Sequence, residues 1–532
     1  MFPDNSAPDV SSEQPVQYHS LKQGDVVEVE ITDVSESGEG VGRVGNQVVF
    51  VPDTVTGDRV SVRLTNVKRQ YAHAKLLEVV TASAHRVRPS CIVADKCGGC
   101  QLQHIDYDYQ LIAKENQVIQ ALKRIGGFAE PPVAPIVGAQ GNFAYRNKVT
   151  YPLGVSDSGT VKAGYYRKGT HQIVNLNQCP VQDERLNPLL AEIKQDIQDR
   201  GWQIYQPESK GAREPGSRRT GVQIIVSQYE DAGSTERGSS KPKLRNRPMV
   251  TQVTDIPDTR PKFRHLLLRI GRRTGEILLT LVVTDLNIPD IEGQAQRWMQ
   301  RYPNLVGVCL NLNDRPNNTI FGSETRCIAG REFICETFGN LQFQLKADTF
   351  FQIYTEQAEA VLNLIIDRAG FKGTETLIDA YCGIGTFSLP LSKRVKRVVG
   401  IEVHGASVIQ ARSNARLNSI NNVEFRTGEV EELLPELDIQ ADVVLLDPPR
   451  TGCDRAVLDA LTDMQPAQII YISCKPATLA RDLQILCEQG NYQLTHVQPA
   501  DFFPQTAHVE CVAFLTRGEA PATSDESTAI SQ

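Results

Sequence analysis

The stretch from about 350 to 517 constrains the fold more than any other. Nearly unbroken apolar runs (TLIDAYCG, RVVGIEV, VEFRTG, DVVLLDPP, QIIYISC and HVECVAFLTR) alternate there with helical stretches such as ASVIQARSNARLN and ATLARDLQILCEQ. A strand that is apolar on both sides must be covered on both faces, and the intervening helices supply the cover. The pattern therefore implies a parallel, doubly wound sheet, preceded by a helix over 354–370.

Upstream the period changes. Between about 20 and 80, short alternating runs (VVEVEITDV, QVVFVP, RVSVRLTNV, HAKLLEVV) are punctuated by glycines, which predicts a small five-stranded β-barrel of OB type. From 81 to 345 strands and helices alternate less regularly, and RHLLLRIGRR and EILLTLVVTD form a strand pair joined through Thr274 and Gly275. A central α+β unit is expected there. Within it, 208–261 is rich in Gly, Ser, Pro and Arg/Lys and reads as a partly disordered surface insertion. The expected division is a tail at 1–18, the barrel at 19–80, the central unit at 81–345, the doubly wound unit at 346–517, and a tail at 518–532.

The 56 Lys+Arg against 63 Asp+Glu leave a net charge of -7, which argues against a nucleic-acid binder that relies on bulk positive charge. No apolar run of about 18 residues occurs, and the first twenty residues lack a basic-then-apolar leader pattern. A cytoplasmic chain without a membrane span is expected. Twelve cysteines in such a chain are not a disulfide framework. They divide into metal ligands, nucleophile candidates and buried fillers.

The segment DAYCGIGTF, 379–387, follows one apolar run and opens a helix; Gly383 and Gly385 let the backbone turn sharply against a ligand. Glu402 ends the next run, where a carboxylate accepts hydrogen bonds from ribose hydroxyls. The third glycine of the dinucleotide fingerprint is missing, and no P-loop pattern occurs. D-x-x-C-G-x-G-T-F with an acidic strand end is similar to the S-adenosylmethionine (AdoMet) loop of Rossmann-like class I methyltransferases. A further run ends in Asp447-Pro448-Pro449-Arg450, at the carboxyl edge where open α/β sheets bind ligands.

QIIYIS delivers Cys474 to the same edge, and the last strand carries Glu510 on one face with His508 and Val512. A carboxylate in so apolar a strand has a task or a partner. Methylation at C5 of a pyrimidine needs both groups: a thiolate adds at C6 to make C5 nucleophilic, and a base later removes the C5 proton. Cys474 is the expected nucleophile and Glu510 the expected base. Cys453 is the nearest rival, while Cys382 and Cys511 read as packing. Cytosine-5 enzymes acting on RNA typically place a cysteine where Arg450 stands, which counts against a cytosine target.

Cys91-x5-Cys97-x2-Cys100, with Cys179-Pro180 in a later loop, offers four thiolates for either a [4Fe–4S] cluster or structural zinc. A single C-x-x-C knuckle and a proline after the last cysteine favour iron–sulfur over zinc.

Together these motifs resemble the RNA uracil-5-methyltransferase family, in its iron–sulfur 23S rRNA branch, over about 20–205 and 262–517. The resemblance implies that residues 20–80 are a TRAM domain, an RNA-binding module. It implies that Cys91, Cys97, Cys100 and Cys179 hold a [4Fe–4S] cluster and that Gln352, Tyr381, Glu402 and Asp447 contact AdoMet. It implies Cys474 as nucleophile and Glu510 as base. Thr386 and Glu429 stand where asparagine is common in that branch. Asp447 is also placed to accept from uracil N3–H, in competition with the cofactor contact. The expected activity is 5-methyluridine formation in 23S rRNA by a monomer. The alternatives are the same chemistry on a tRNA uridine and a non-catalytic iron–sulfur RNA-binding or assembly factor.

Overall fold

The computed structural model describes residues 21–206, 260–316 and 319–518. The tails read at 1–18 and 518–532 and the insertion read at 208–261 lie outside the described residues, apart from 260, 261 and 518. Five strands, β1 (Val26–Val34), β2 (Gly40–Val44), β3 (Gln47–Val51), β4 (Arg59–Val67) and β5 (Tyr71–Thr81), close into a barrel in the order β1-β2-β3-β5-β4. Period-two alternation turns Val29, Ile31, Val49, Val60 and Val62 inward as its core.

The barrel is tied to the stretch that follows it. Arg86 donates to the Asp53 carbonyl at 3.0 Å and ion-pairs with buried Asp58. The Val87 N–H donates to the His104 carbonyl at 3.0 Å, and Lys168 reaches Asp53 at 2.5 Å. Val55 shares a small apolar core with Leu102 and Ile105. Gly38 backs so closely on this stretch that a Cβ there would lie 2.8 Å from Gln101 Cβ.

A second sheet uses β6 (Lys148–Val155), β7 (Val161–Ala163), β8 (Gln203–Ile204), β9 (Lys262–Ile270), β10 (Ile277–Val283), β11 (Leu305–Leu312) and β12 (Glu324–Gly330). Its order is β12-β11-β10-β9-β6-β7, with β8 pairing β9. The β9–β10 hairpin turns at Gly275, whose φ of 76° suits glycine. Leu266, Leu268, Leu279 and Leu281 face a core closed by Leu190 and Ile193 of the helix Asn187–Asp199 and Trp298 of the helix Ile291–Arg301.

The hairpin β13 (Phe333–Phe338) and β14 (Leu341–Lys346) sends Ile334, Phe338 and Phe343 into the core of the third sheet. That sheet contains β15 (Thr376–Ala380), β16 (Arg397–Glu402), β17 (Val423–Thr427), β18 (Val443–Leu446), β19 (Gln468–Ser473), β20 (Tyr492–Ala500) and β21 (Glu510–Arg517). The order is β17-β16-β15-β18-β19-β21-β20. The first five strands pair parallel, and β21 runs antiparallel to both neighbours. The sheet thus departs from the all-parallel expectation at one strand, because the stretch 501–509 is too short for a crossover helix and can only return the chain beside β20.

Leu445, Ile470 and Val512 enter one core cluster of this sheet, while Val444, Tyr471 and Cys511 enter the other. The helix Tyr107–Arg124, started by Asp106 accepting from the Tyr109 N–H, packs Val118, Ala121 and Leu122 into the second cluster. Among the described residues no helix is long and apolar enough to cross a membrane.

Leu445, fully buried in central β18, sets the scale of this packing. Leu445→Ala is expected to destabilise the protein by about 2–5 kcal/mol, read as a lowered midpoint in chemical denaturation; a change below about 0.5 kcal/mol would contradict the two-sided cover.

Candidate active site at the carboxyl edge of the third sheet

After β15 the chain turns at Tyr381 and Gly383, with φ of 70° and 56°, and again at Gly385, with φ of 82°. A non-glycine residue at such a φ is uncommon, and Tyr381 holds it at the mouth of the loop, its hydroxyl donating to Glu431 Oε1 at 3.2 Å. The Gly383 N–H donates to Glu402 Oε2 at 3.1 Å, and the His404 N–H donates to Oε1 at 2.7 Å. The Glu402 carboxylate is therefore fixed at the end of β16, against the glycine loop.

Beneath the loop, buried Asp379 accepts from the Ser388 hydroxyl. Burial pushes its carboxyl up to about 7, with nearby Glu402 adding to the rise. Asp447, just past β18, is also pushed up to about 7 by burial and then by Asp379. Gln352 donates to Asp447 Oδ2 at 3.5 Å. The four residues expected to contact AdoMet thus line one side of the edge in linked pairs: Glu402 on the loop that Tyr381 opens, and Gln352 on Asp447.

On the other side, the last rung between β19 and β21 pairs Ser473 with Cys511, which sets Cys474 across from Glu510. Glu510 is 8% exposed. Burial, then Asp447, holds it well above the usual carboxylate range, and Arg450 opposes the rise. The Cys474 thiol is raised by burial and by Glu510; Arg450 counters through its charge and a hydrogen bond to the thiol. Arg450 also lies 3.4 Å from the Nε2 of His508.

Arg450 was visible only as the end of the DPPR motif; its approach to Cys474 depends on how the loop after β18 folds. Asp379 and Ser388 carried no signal of their own beyond the loop motif. His508 is not on the strand with Glu510. It precedes β21 in the stretch 501–509 and is exposed, because the ladder begins only at Glu510.

The rival thiols are buried. Cys453 has its thiol pushed up to about 12 by burial, with Tyr471 and Tyr381 at hydrogen-bonding distance. Cys382 and Cys511 are held well above the ordinary thiol range, also by burial first. Cys474 is the half-buried thiol at the edge.

Away from this edge, Cys91, Cys97, Cys100 and Cys179 line one small cavity, together with Tyr165, Gln178 and Pro180. All four are free thiols. Burial raises Cys97 and Cys179 and pushes Cys100 up to about 11, with the thiols adding to one another's rise. The Gly99 N–H points at Cys97 Sγ at 3.4 Å. Among the described residues, no three His, Cys, Asp or Glu side chains form a group that could hold a metal ion. On the barrel, Phe50, Tyr71 and His73 form an aromatic cluster, with Phe50 stacked on His73 at 5.4 Å.

The sheet order, the glycine loop and the acidic edge define an α/β methyltransferase-like unit behind a small β-barrel. Residues 321–518 match the tRNA (Uracil-5-)-methyltransferase family, and residues 20–77 match the TRAM domain. The chain is 56% identical over 493 residues to an uncharacterized RNA methyltransferase of Nostoc sp. (strain PCC 7120), spanning 93% of this chain and 96% of the relative. It is 34% identical over 502 residues to one of Bacillus cereus (strain ATCC 10987), spanning 94% and 98%. The chain belongs to the AdoMet-dependent RNA uracil-5-methyltransferase family. It shares its fold with the Pyrococcus abyssi tRNA (uracil-54, C5)-methyltransferase in complex with S-adenosyl-L-homocysteine, with a TM-score of 0.66, 24% identity, and 92% and 100% of the two chains covered.

A cation seated on this edge favours ionised Asp379 and Asp447, whose carboxyls stand near 7 in the free protein. AdoMet binding should therefore expel protons below about pH 7 and tighten as the pH rises toward that value, then level off. Titration calorimetry in buffers of different ionisation enthalpy measures the release. Binding that is proton-neutral and pH-independent between about pH 6 and 8 would count against an acidic cradle.

Proposed function

We propose that this chain methylates C5 of a uridine in 23S rRNA through a covalent adduct between Cys474 and C6. The observation that carries the reading is the placement of Cys474 across from Glu510, with Arg450 beside both, on the edge that also bears Glu402 and Asp447. Arg450 favours the thiolate of Cys474, which adds to C6 of a uracil extruded from its stack. Electron density then accumulates at C5. Gln352, Tyr381, Glu402 and Asp447 would hold AdoMet, which when bound would supply an electrophilic methyl group for that carbon. Glu510, made a stronger base by its burial, takes the C5 proton. The electrons of that C–H bond re-form the C5–C6 double bond, and the Cys474 thiolate leaves.

The four thiols around the cavity would hold a [4Fe–4S] cluster. An all-sulfur donor set and an N–H aimed at Cys97 Sγ suit thiolate-ligated iron. The cluster's role would be structural, since the reaction has no redox step.

The tRNA reading is favoured by the shared fold with the Pyrococcus abyssi tRNA enzyme. Labelling of separate rRNA and tRNA pools, followed by mapping of the modified uridine, decides between them: label confined to tRNA replaces the 23S reading. AdoMet binding without transfer to either pool would favour a non-catalytic RNA-binding factor.

Cys474→Ala should abolish turnover, and Glu510→Gln should lower it on the order of 100-fold or more while an SDS-resistant protein–RNA adduct accumulates. Full activity of both variants would sink the mechanism. Anaerobically purified protein should be brown, with broad absorbance near ~400 nm that Cys97→Ser removes; a colourless protein containing zinc would overturn the cluster.

A further inference from the structure

The stretch 501–509, between β20 and β21, is irregular yet largely buried, so its backbone groups must find partners outside a sheet. They find them in the stretch that directly follows Cys100. The Gln101 and Leu102 N–H groups donate to the Gln505 carbonyl at 3.1 and 3.0 Å. The side chains of Gln110 and Gln505 meet at 3.1 Å, and the Gln505 N–H donates to Gln110 Oε1 at 3.1 Å. Lys114 Nζ lies 2.6 Å from Asp501 Oδ1 and also donates to the Phe503 carbonyl at 3.1 Å. The Tyr107 hydroxyl donates to Asp501 Oδ2 at 3.0 Å.

Two features make this clamp more than packing. The ion pair is fully enclosed, with Lys114 at 1% and Asp501 at 0% exposure. A buried charged pair is seldom the most stabilising choice for a site; its gain is directional. In addition, the terminal β20–β21 rung is Ala500 with Glu510. Glu510 is thus the first residue of its strand, and what fixes it on the upstream side is the clamped stretch.

We propose that Lys114, Asp501, Gln110 and Gln505 are positioning residues for methyl transfer, holding 501–509 so that the Glu510 carboxylate meets the C5 proton of the Cys474-bound uracil. The proposal rests on the reading of Glu510 as the base. It also assigns a task to the cysteine-bearing stretch: the chain leaving Cys100 is the other jaw of the clamp.

The test uses the full chain with the double substitution Lys114→Met/Asp501→Leu, which keeps the volume and burial of the pair and removes its direction. To separate loss of direction from loss of fold, Gln110→Leu/Gln505→Leu is measured beside it and judged by the same readouts. The expected result is a kcat lowered roughly ten- to a hundredfold, the scale of a displacement of about 1 Å. KM for RNA should fall along with kcat, leaving kcat/KM within about twofold, because the slowed step follows adduct formation, and affinity for AdoMet should stay within about twofold. The SDS-resistant adduct should accumulate at steady state, which a merely structural defect would not cause. Unchanged kcat, or lost activity without adduct, overturns the proposal. Glu510→Gln run in parallel separates the two failures. If it stalls with adduct while the clamp variants turn over normally, only the clamp falls. If it turns over normally, the base assignment falls and takes the clamp with it.

Discussion

A sheet covered on both faces leaves its carboxyl edge as the place for chemistry, and the candidate site residues Glu402, Asp447, Cys474 and Glu510 are gathered there. That edge is crowded with carboxyl groups. Asp379, Asp447 and Glu510 are each raised by burial and then by a carboxylate neighbour. Crowding of this kind is unfavourable until something positive arrives. Arg450 supplies part of that charge beside Cys474, and a sulfonium ligand with its ammonium group supplies more. The arrangement would therefore tie occupancy of the Glu402–Asp447 side to the charge state of the Cys474–Glu510 side: the two halves of the edge share one electrostatic field.

The fold was legible where burial imposes a period. The runs at 376–380, 397–402, 443–446 and 468–473 are strands because apolar residues must occupy both faces, and the structure has all four as parallel strands of one sheet. The barrel followed from alternation and glycine turns. What the period could not show was direction: β21 carries the same apolar signature as its neighbours but runs against them, and only the length of 501–509 reveals it. Nor could it show which core an element joins. The helix Tyr107–Arg124 and the hairpin Phe333–Lys346 precede the third sheet in sequence but pack into it, a choice made by surfaces far apart along the chain.

The candidate site divides in the same way. Glu402, Asp447, Cys474 and Glu510 stand at strand ends or starts, and strand ends are readable from a sequence. Arg450 and Asp501 stand in loops, and Asp501 meets partners hundreds of residues away, and local pattern carries no trace of such pairings. His508 illustrates the limit: alternation extended one strand too far upstream, because an apolar–polar pattern does not mark where a hydrogen-bond ladder stops. The four cysteines were legible by spacing, and they line one cavity, although that cavity is also walled by Gln103, Tyr165 and Gln178, which spacing could not show.

The fastening of the barrel has a consequence for recognition. A module on a slack linker samples many distances and adapts to many partners. Here Arg86, Lys168 and the Val55–Leu102–Ile105 contact hold the barrel against the rest of the chain, and a Cβ on Gly38 would lie 3.3 Å from that of Ala507, next to His508. The aromatic cluster on the barrel and the thiol of Cys474 thus belong to parts of the chain joined by direct contacts and not by a slack linker. An RNA that touched both would have to bring a stackable base and an extrudable uridine to a set separation, a demand of span that would not depend on bulk attraction to a chain with net charge of -7.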